Sequence, residues 1–246
     1  MRRLILSDIH ANLEALEAVL ADAREDYQEV VCCGDVVGYN ANPVEVIEWV
    51  RHHATYVVRG NHDKGCAGLT EMGDFNPPAR DAALWTREQL EPQDLKWLRE
   101  LPAGPVRGEG FEIAHGSPAD EDEYLISSGS AEPMSQFMER PICFAGHTHV
   151  QGGWSWERGG LLPLSRPGMS ETERVIDLDP EYLYLINPGS VGQPRDRDPR
   201  AGYAIWDDET RLLHFRRVRY DIREAQSRIL EAGLPGILAE RLASGR

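Results

Sequence analysis

Side chains able to hold a cation recur along this chain in short clusters, almost all beside glycine. They are Asp8-Ile9-His10, Gly34-Asp35-Val36-Val37-Gly38, Gly60-Asn61-His62-Asp63 and Gly146-His147-Thr148-His149, with His115 standing alone before Gly116. Carboxylate, imidazole and amide donors without thiolate do not suit a structural zinc knuckle. They suit Mn, Fe, Zn or a mixed pair. The candidate ligands are Asp8, His10, Asp35, Asn61, His115, His147 and His149, more than one tetrahedral ion uses and enough for two. Two cations at roughly 3.5–4 Å need a shared carboxylate. Asp35, alone in its cluster and central in order, is the natural bridge. Each residue taken singly also has a structural reading. Asp8 would cap a helix, Asp35 and Asn61 would sit in turns, and His115 would be a satisfied core histidine. It is their joint occurrence at strand ends that points to a metal site.

The elements that must position these groups follow from hydrophobic periodicity. The first sixty residues read β-α-β-α-β: strands over 3–7, 29–33 and 56–58, and helices over 12–25 and 43–53. Strands alternating with helices imply parallel pairing with right-handed crossovers. Residues 77–101 read as two helices. Strands follow at 106–107, 111–115, 142–145, 150–156, 174–177, 182–186, 203–207 and 212–218. A helical tail over 221–242 is broken at Gly233-Leu234-Pro235. Ligands of open α/β sheets bind beyond the carboxyl ends of strands, where the clusters fall. On extended chain, alternating side chains would bring Asp8 and His10 to one side, and likewise His147 and His149. The whole of 1–246 is expected to form a single domain.

Composition bounds the function. The chain has 246 residues, 26 Lys plus Arg against 41 Asp plus Glu, and a formal net charge of −15. Its length supports a full core. Its acidity argues against broad nucleic-acid or anionic-membrane binding. No apolar run approaches the roughly 18 residues of a membrane span, and the short apolar stretch after Arg2-Arg3 does not make a signal peptide. Cys32, Cys33, Cys66 and Cys143 form no disulfide framework, and a cytoplasmic location is expected. Cys32, Cys33 and Cys143 read as buried strand residues. The segment 195–200, Arg-Asp-Arg-Asp-Pro-Arg, reads as a solvated loop. Arg211, Arg216, Arg217 and Arg219 read as exposed strand charges. Edge strands would accommodate a homo-oligomer.

The five clusters, in order, type and strand context, resemble the motif blocks of the calcineurin-like metallophosphoesterases. The segment Asn187-Pro188-Gly189-Ser190-Val191-Gly192-Gln193-Pro194-Arg195 resembles a C-terminal block of their bacterial, YfcE-like phosphodiesterase branch. The resemblance covers most of the chain except about the last 40 residues. It implies a four-layer α/β/β/α sandwich of two mixed sheets flanked by helices. It also implies two divalent ions, drawn from Mn, Fe, Zn, Ni or Mg. Asp8, His10, Asp35 and His149 would hold one, and Asp35, Asn61, His115 and His147 the other. His62 would not be a ligand but would protonate the leaving oxygen or neutralise charge on phosphorus.

Such a pair of cations would deliver a bridging hydroxide for in-line attack on a phosphoester. An imidazole titrating near neutrality is suited to the proton donation. Asp63 would orient a neighbour from behind the site. Asn12, Tyr39 and Arg195 are candidate substrate contacts, Asn12 being equally suited to capping a helix. Trp154 and Trp156 would border the substrate mouth or fill a core. Gly34-Asp35 is not followed by the Asp-Arg-Gly of relatives acting on phosphoproteins or dinucleoside tetraphosphates, and Asp63 replaces their Glu after Asn-His. The expected substrate is therefore a small phosphorylated molecule. A scaffold of the same fold, a nuclease and a dinucleoside polyphosphate hydrolase are the competing readings.

Overall fold

A computed structural model describes residues 1–24 and 26–246. Two six-stranded mixed sheets form its centre. The first contains β1 (Arg2–Leu6), β2 (Glu29–Cys32), β3 (Ala54–Val57), β9 (Glu173–Asp177), β11 (Ala201–Asp207) and β12 (Leu212–Val218), in the order β3-β2-β1-β11-β12-β9. The second contains β4 (Val106–Arg107), β5 (Phe111–Ile113), β6 (Ile142–Phe144), β7 (Gly152–Glu157), β8 (Gly160–Pro163) and β10 (Leu183–Asn187), in the order β4-β5-β6-β10-β7-β8. The parallel strands are β1, β2 and β3 in one sheet and β5, β6 and β10 in the other. Their carboxyl ends deliver all five ligand clusters.

Alternation along the strands explains the layering. Ile5, Val31, Phe111, Phe144, Ile186, Trp206 and Phe215 point inward and form the core between the sheets. Leu4, Leu6, Val30 and Cys32 point outward, under α1 (Leu13–Ala23), α2 (Pro43–His53) and α5 (Pro92–Glu100). The opposite outer layer is thin. It consists of α6 (Ser128–Ala131) and a 3-10 turn (Glu132–Gln136), packed on Ala114, Cys143, Ala145 and Leu185. The four-layer α/β/β/α order is thus present, with one helical layer much the heavier. Beside the thin layer, Trp154, Leu125 and Leu185 border a cavity of about 430 Å³. Trp154 and Trp156, both half-buried, pack against the small cluster there, and Trp154 shares the cavity wall with Gly116, Gly146 and Thr148.

Strands predicted to run through 7, 33, 115 and 145 stop at Leu6, Cys32, Ile113 and Phe144. The hydrogen-bond ladder gives way before each ligand loop. The predicted helix over 12–25 spans Leu13–Ala23 with Asn12 as its cap, and its expected last residue, Glu25, lies outside the described residues. Helix α3 (Asn61–Ala67) opens on the third ligand cluster. Helix α4 (Pro77–Gln89) and α5 each begin with proline in the first turn, which suits its missing N–H. Strand β8 went unread, although Arg158-Gly159 forms the two-residue turn that returns the chain from β7. The tail forms α7 (Ile222–Glu231) and α8 (Gly236–Ser244), which pack with Ala79 and Ala82 of α4 and with Tyr39. No helix among the described residues is long and apolar enough to cross a membrane.

Two expectations about charge are corrected. The 195–200 segment is a loop with Arg197 exposed, but it is not solvated throughout. The side chains of Asp196 and Asp198 are almost wholly buried as ion-pair partners of Arg217 and Arg200. Arg217 is accordingly not an exposed strand charge, and it also donates to Gln151 Oε1 at 2.9 Å. All four cysteines are free and buried.

Candidate metal centre

The ligand loops converge by a route other than extended strand. Asp8 (φ 51°), His10 (φ 50°), Asp35 (φ 53°), His147 (φ 67°) and His149 (φ 58°) all adopt left-handed backbone. Side-chain alternation therefore does not pair Asp8 with His10 or His147 with His149; left-handed turns do. Non-glycine residues rarely take this conformation, and such strain gathers at functional sites. Glycine supplies the remaining clearance. A Cβ on Gly60 would lie 2.0 Å from Asp35 Oδ1, and one on Gly38 (φ 93°) 2.6 Å from His62 Nδ1.

Two groups result. Ligand atoms of Asp8, His10, Asp35 and His149 lie within 4.8 Å of one another, as do those of Asp35, His115 and His147. Asp35 belongs to both. His10 Nε2 is 3.1 Å from His149 Nε2, and His147 Nδ1 is 3.1 Å from His115 Nε2. Asn61 Oδ1 joins the second group, 3.3 Å from His115 Nε2.

The outer ring nitrogens are fixed by backbone carbonyls. His10 Nδ1 donates to Val37 O (3.0 Å), His115 Nδ1 to Cys33 O (2.8 Å) and His149 Nδ1 to Gln193 O (2.6 Å). His147 is reversed, with Nε2 donating to Asp122 O at 3.1 Å. A carbonyl only accepts, so each outer nitrogen carries the hydrogen and the inner one is free for a ligand bond.

The electrostatics agree. Burial pushes His10 and His149 well below the ordinary imidazole range. Burial and the charge on His115 take His147 down to about 3. Burial raises Asp8 to about 7, and burial with the nearby Asp35 charge raises Asp63 to about 7. The inner oxygens Asp8 Oδ2 and Asp35 Oδ2 are buried without hydrogen-bond partners. Burial opposes the charge on His115 too, but the Asp35 carboxylate lifts it to about 10. The neutral rings of His10, His147 and His149, with His115 and the buried oxygens of Asp8 and Asp35 facing them, form a donor set that fits divalent cations.

His62 stands beside the groups without joining them. Its ring lies between Tyr39 (4.3 Å) and Phe75 (4.7 Å), with Nδ1 unpartnered. Burial, opposed by Asp35, brings it down to about 4. Tyr39 also touches the His10 ring, and its hydroxyl accepts from Arg195 Nη2 at 3.1 Å. Asp63 is fully buried and accepts from Val37 N and Gly60 N, bracing the loops on both sides of Asp35. Asn12 is corrected from a substrate contact to a helix cap. It is fully buried, with Oδ1 accepting from Ala15 N and Nδ2 donating to Gly192 O.

Sequence reasoning missed what the 187–193 block does. Ser190 Oγ and Gly192 N donate to Asp8 O, and Asn187 Nδ2 donates to Gly146 O, so the block clamps two ligand loops together. It also missed Lys64, Phe75 and Tyr124, which line a cavity of about 230 Å³ next to Asn61 and His147. No local spacing signals these three.

Comparison with known proteins gives the same family as the motif blocks. The model of the calcineurin-like phosphoesterase superfamily domain matches residues 1–211. MJ0912, an uncharacterized protein of Methanocaldococcus jannaschii, is 38% identical over 248 residues, 98% of this chain and 97% of its own. The crystal structure of a metallophosphoesterase from Sphaerobacter thermophilus is 40% identical and has a TM-score of 0.87, covering 100% of this chain and 99% of that one. Hypothetical protein PH1004 from Pyrococcus horikoshii OT3 shares the fold at 21% identity, with a TM-score of 0.79 over 100% of this chain and 98% of that one. A match running through every ligand cluster, joined by a full-length relative at this identity, means that the chain belongs to the calcineurin-like phosphoesterase superfamily.

Proposed function

We propose that this protein hydrolyses a phosphodiester or phosphomonoester of a small molecule with the help of two divalent cations. The observation that carries the reading is the buried, unpartnered Oδ2 of Asp35, shared between two convergent donor groups. Asp8, His10, Asp35 and His149 would hold one cation, and Asp35, Asn61, His115 and His147 the other. Bound there, the two ions would activate water and neutralise charge on the phosphoryl oxygens.

The chain's own groups do the rest. Asp63 holds the Val37 and Gly60 amides, fixing the loops that carry Asp35 and Asn61. Arg195, gripped by Tyr39 and by Gln193 Oε1 (3.0 Å), keeps a buried Nε without a partner and would offer it to a phosphate oxygen. Burial disfavours the charged form of His62. A phosphate anion beside it works against burial and favours imidazolium, which then gives its proton to the leaving oxygen. The complete donor set and the retained His62 favour catalysis over a scaffold role. The charge of −15 favours a compact substrate over a long polyanion.

The test is hydrolysis of bis-p-nitrophenyl phosphate and of p-nitrophenyl phosphate by protein loaded with Mn²⁺. Absence of turnover of both, with metal content verified, would overturn the reading. Replacing His62 with Ala should lower turnover and leave metal content intact; metal loss would instead make His62 a ligand.

A further inference from the structure

The cavity of about 230 Å³ beside Asn61 and His147 has walls that neither donor group uses. Phe75 continues the surface of the His62 ring at 4.7 Å, and Tyr124 lies against the His147 ring at 3.6 Å and 31°. Met72 also lines it. Three charged groups line the same space: Lys64, Asp74 and Asp122. The Lys64 ammonium is already paired with Glu121 and Asp122, so the remaining charge of the wall is acidic. On the other side of His62 lie Tyr39 and the cationic Arg195. The field is therefore asymmetric across the proton donor, cationic on one side and acidic on the other.

Resting on the phosphoesterase reading above, we infer that this cavity receives the leaving group of the substrate and selects an uncharged aromatic or heteroaromatic alcohol. Arg195 attracts the phosphoryl group, while Asp74, the acid left over once Lys64 is paired with Glu121 and Asp122, repels a leaving group that ends in carboxylate or a second phosphate. The volume falls below the roughly 300–1,000 Å³ of pockets for drug-sized ligands and suits one ring system. Aromatic walls prefer a planar face. In the reaction the bond from phosphorus to the leaving oxygen breaks and one to a water oxygen forms. The leaving oxygen takes the His62 proton, and the ring regains one from that water.

The experiment compares p-nitrophenyl phosphate with 3-carboxy-4-nitrophenyl phosphate on the Mn²⁺-loaded protein, in wild type, Asp74→Asn and Phe75→Leu. Asp74 is exposed, so its substitution does not threaten folding. The uncharged ring should be preferred about tenfold or more in kcat/KM, and Asp74→Asn should narrow that preference to a few-fold. Phe75→Leu should raise KM for the parent ester roughly 3- to 10-fold. It should also weaken saturation-transfer NMR signals from phenol alone. Equal use of both esters, with phenol signals unchanged in Phe75→Leu, overturns the subsite while the hydrolysis itself upholds the phosphoesterase. Failure to hydrolyse either ester with metal bound overturns the phosphoesterase reading and the subsite with it.

Discussion

Asp35 stands 3.4 Å from His115, Oδ2 to Nε2, where neither side chain meets solvent. Burial alone would strip His115 of its proton, but the Asp35 carboxylate prevails and lifts it to about 10. Asp35 in turn is held well below the carboxylate range, against burial, by His115, His62 and His10. The Asp35 carboxylate thus favours positive charge placed between the two groups.

Cation binding to the folded state alone should therefore stabilise strongly. At a hundredfold excess over Kd the gain is about 2.7 kcal/mol, or roughly 5–10 °C in a domain of this size. Thermal scans with Mn²⁺ and with chelator should show that gap. Asp35→Asn removes the shared ligand, and the gap should collapse. A variant that keeps the full shift would show that Asp35 bridges nothing.

Gly60 offers a sharper structural probe. A Cβ there would meet Asp35 Oδ1 at 2.0 Å and Asp35 N at 2.5 Å, and backbone cannot give way cheaply. Gly60→Ala should cost about 1–3 kcal/mol and displace the carboxylate, lowering metal content after dialysis. Gly159→Ala, with nothing within 4 Å of the new methyl, should stay within about 0.5 kcal/mol of wild type.

Tyr39 joins the tail helices to the site, since its ring packs with Ala225, Leu238 and Leu242 while its hydroxyl holds Arg195. Tyr39→Phe keeps the packing and frees the guanidinium. One lost hydrogen bond of about 0.5–1.5 kcal/mol should raise KM for p-nitrophenyl phosphate roughly 2- to 10-fold, with a smaller change in kcat. An unchanged KM would remove Arg195 from substrate binding.

How much of this was legible in sequence depended on range. The ligand clusters and the strands before them are local signals, and they lie where periodicity and glycine placed them. The left-handed backbone at Asp8 and His147 was not legible, because those residue types permit it without requiring it. The 195–200 segment misled for the opposite reason. Its alternating charges resemble a solvated loop, but Arg217, distant in sequence, neutralises Asp196 inside the fold. Asn12 and Arg195 carried equal local evidence for substrate contact. Only tertiary packing separates them, by spending the amide of one on a helix cap and leaving the other an unpartnered Nε.

Asp198 gives that buried charge network a pH signature. Burial raises its carboxyl, but hydrogen bonds from Arg200 and the charge of Arg217 outweigh it and hold the group below the ordinary range. A carboxyl that binds its proton less readily folded than unfolded stabilises the fold fully above the unfolded value, near 4. That contribution is lost as pH falls through the depressed folded value. Urea midpoints at pH 5 and pH 3 should therefore drop further for wild type than for Asp198→Asn, which has no proton to take up there. Ligand carboxylates and imidazoles titrate in both proteins alike, so they cancel in the comparison. Equal drops would mean that the Asp198–Arg200 pair persists unchanged in the unfolded chain, or contributes nothing to the fold.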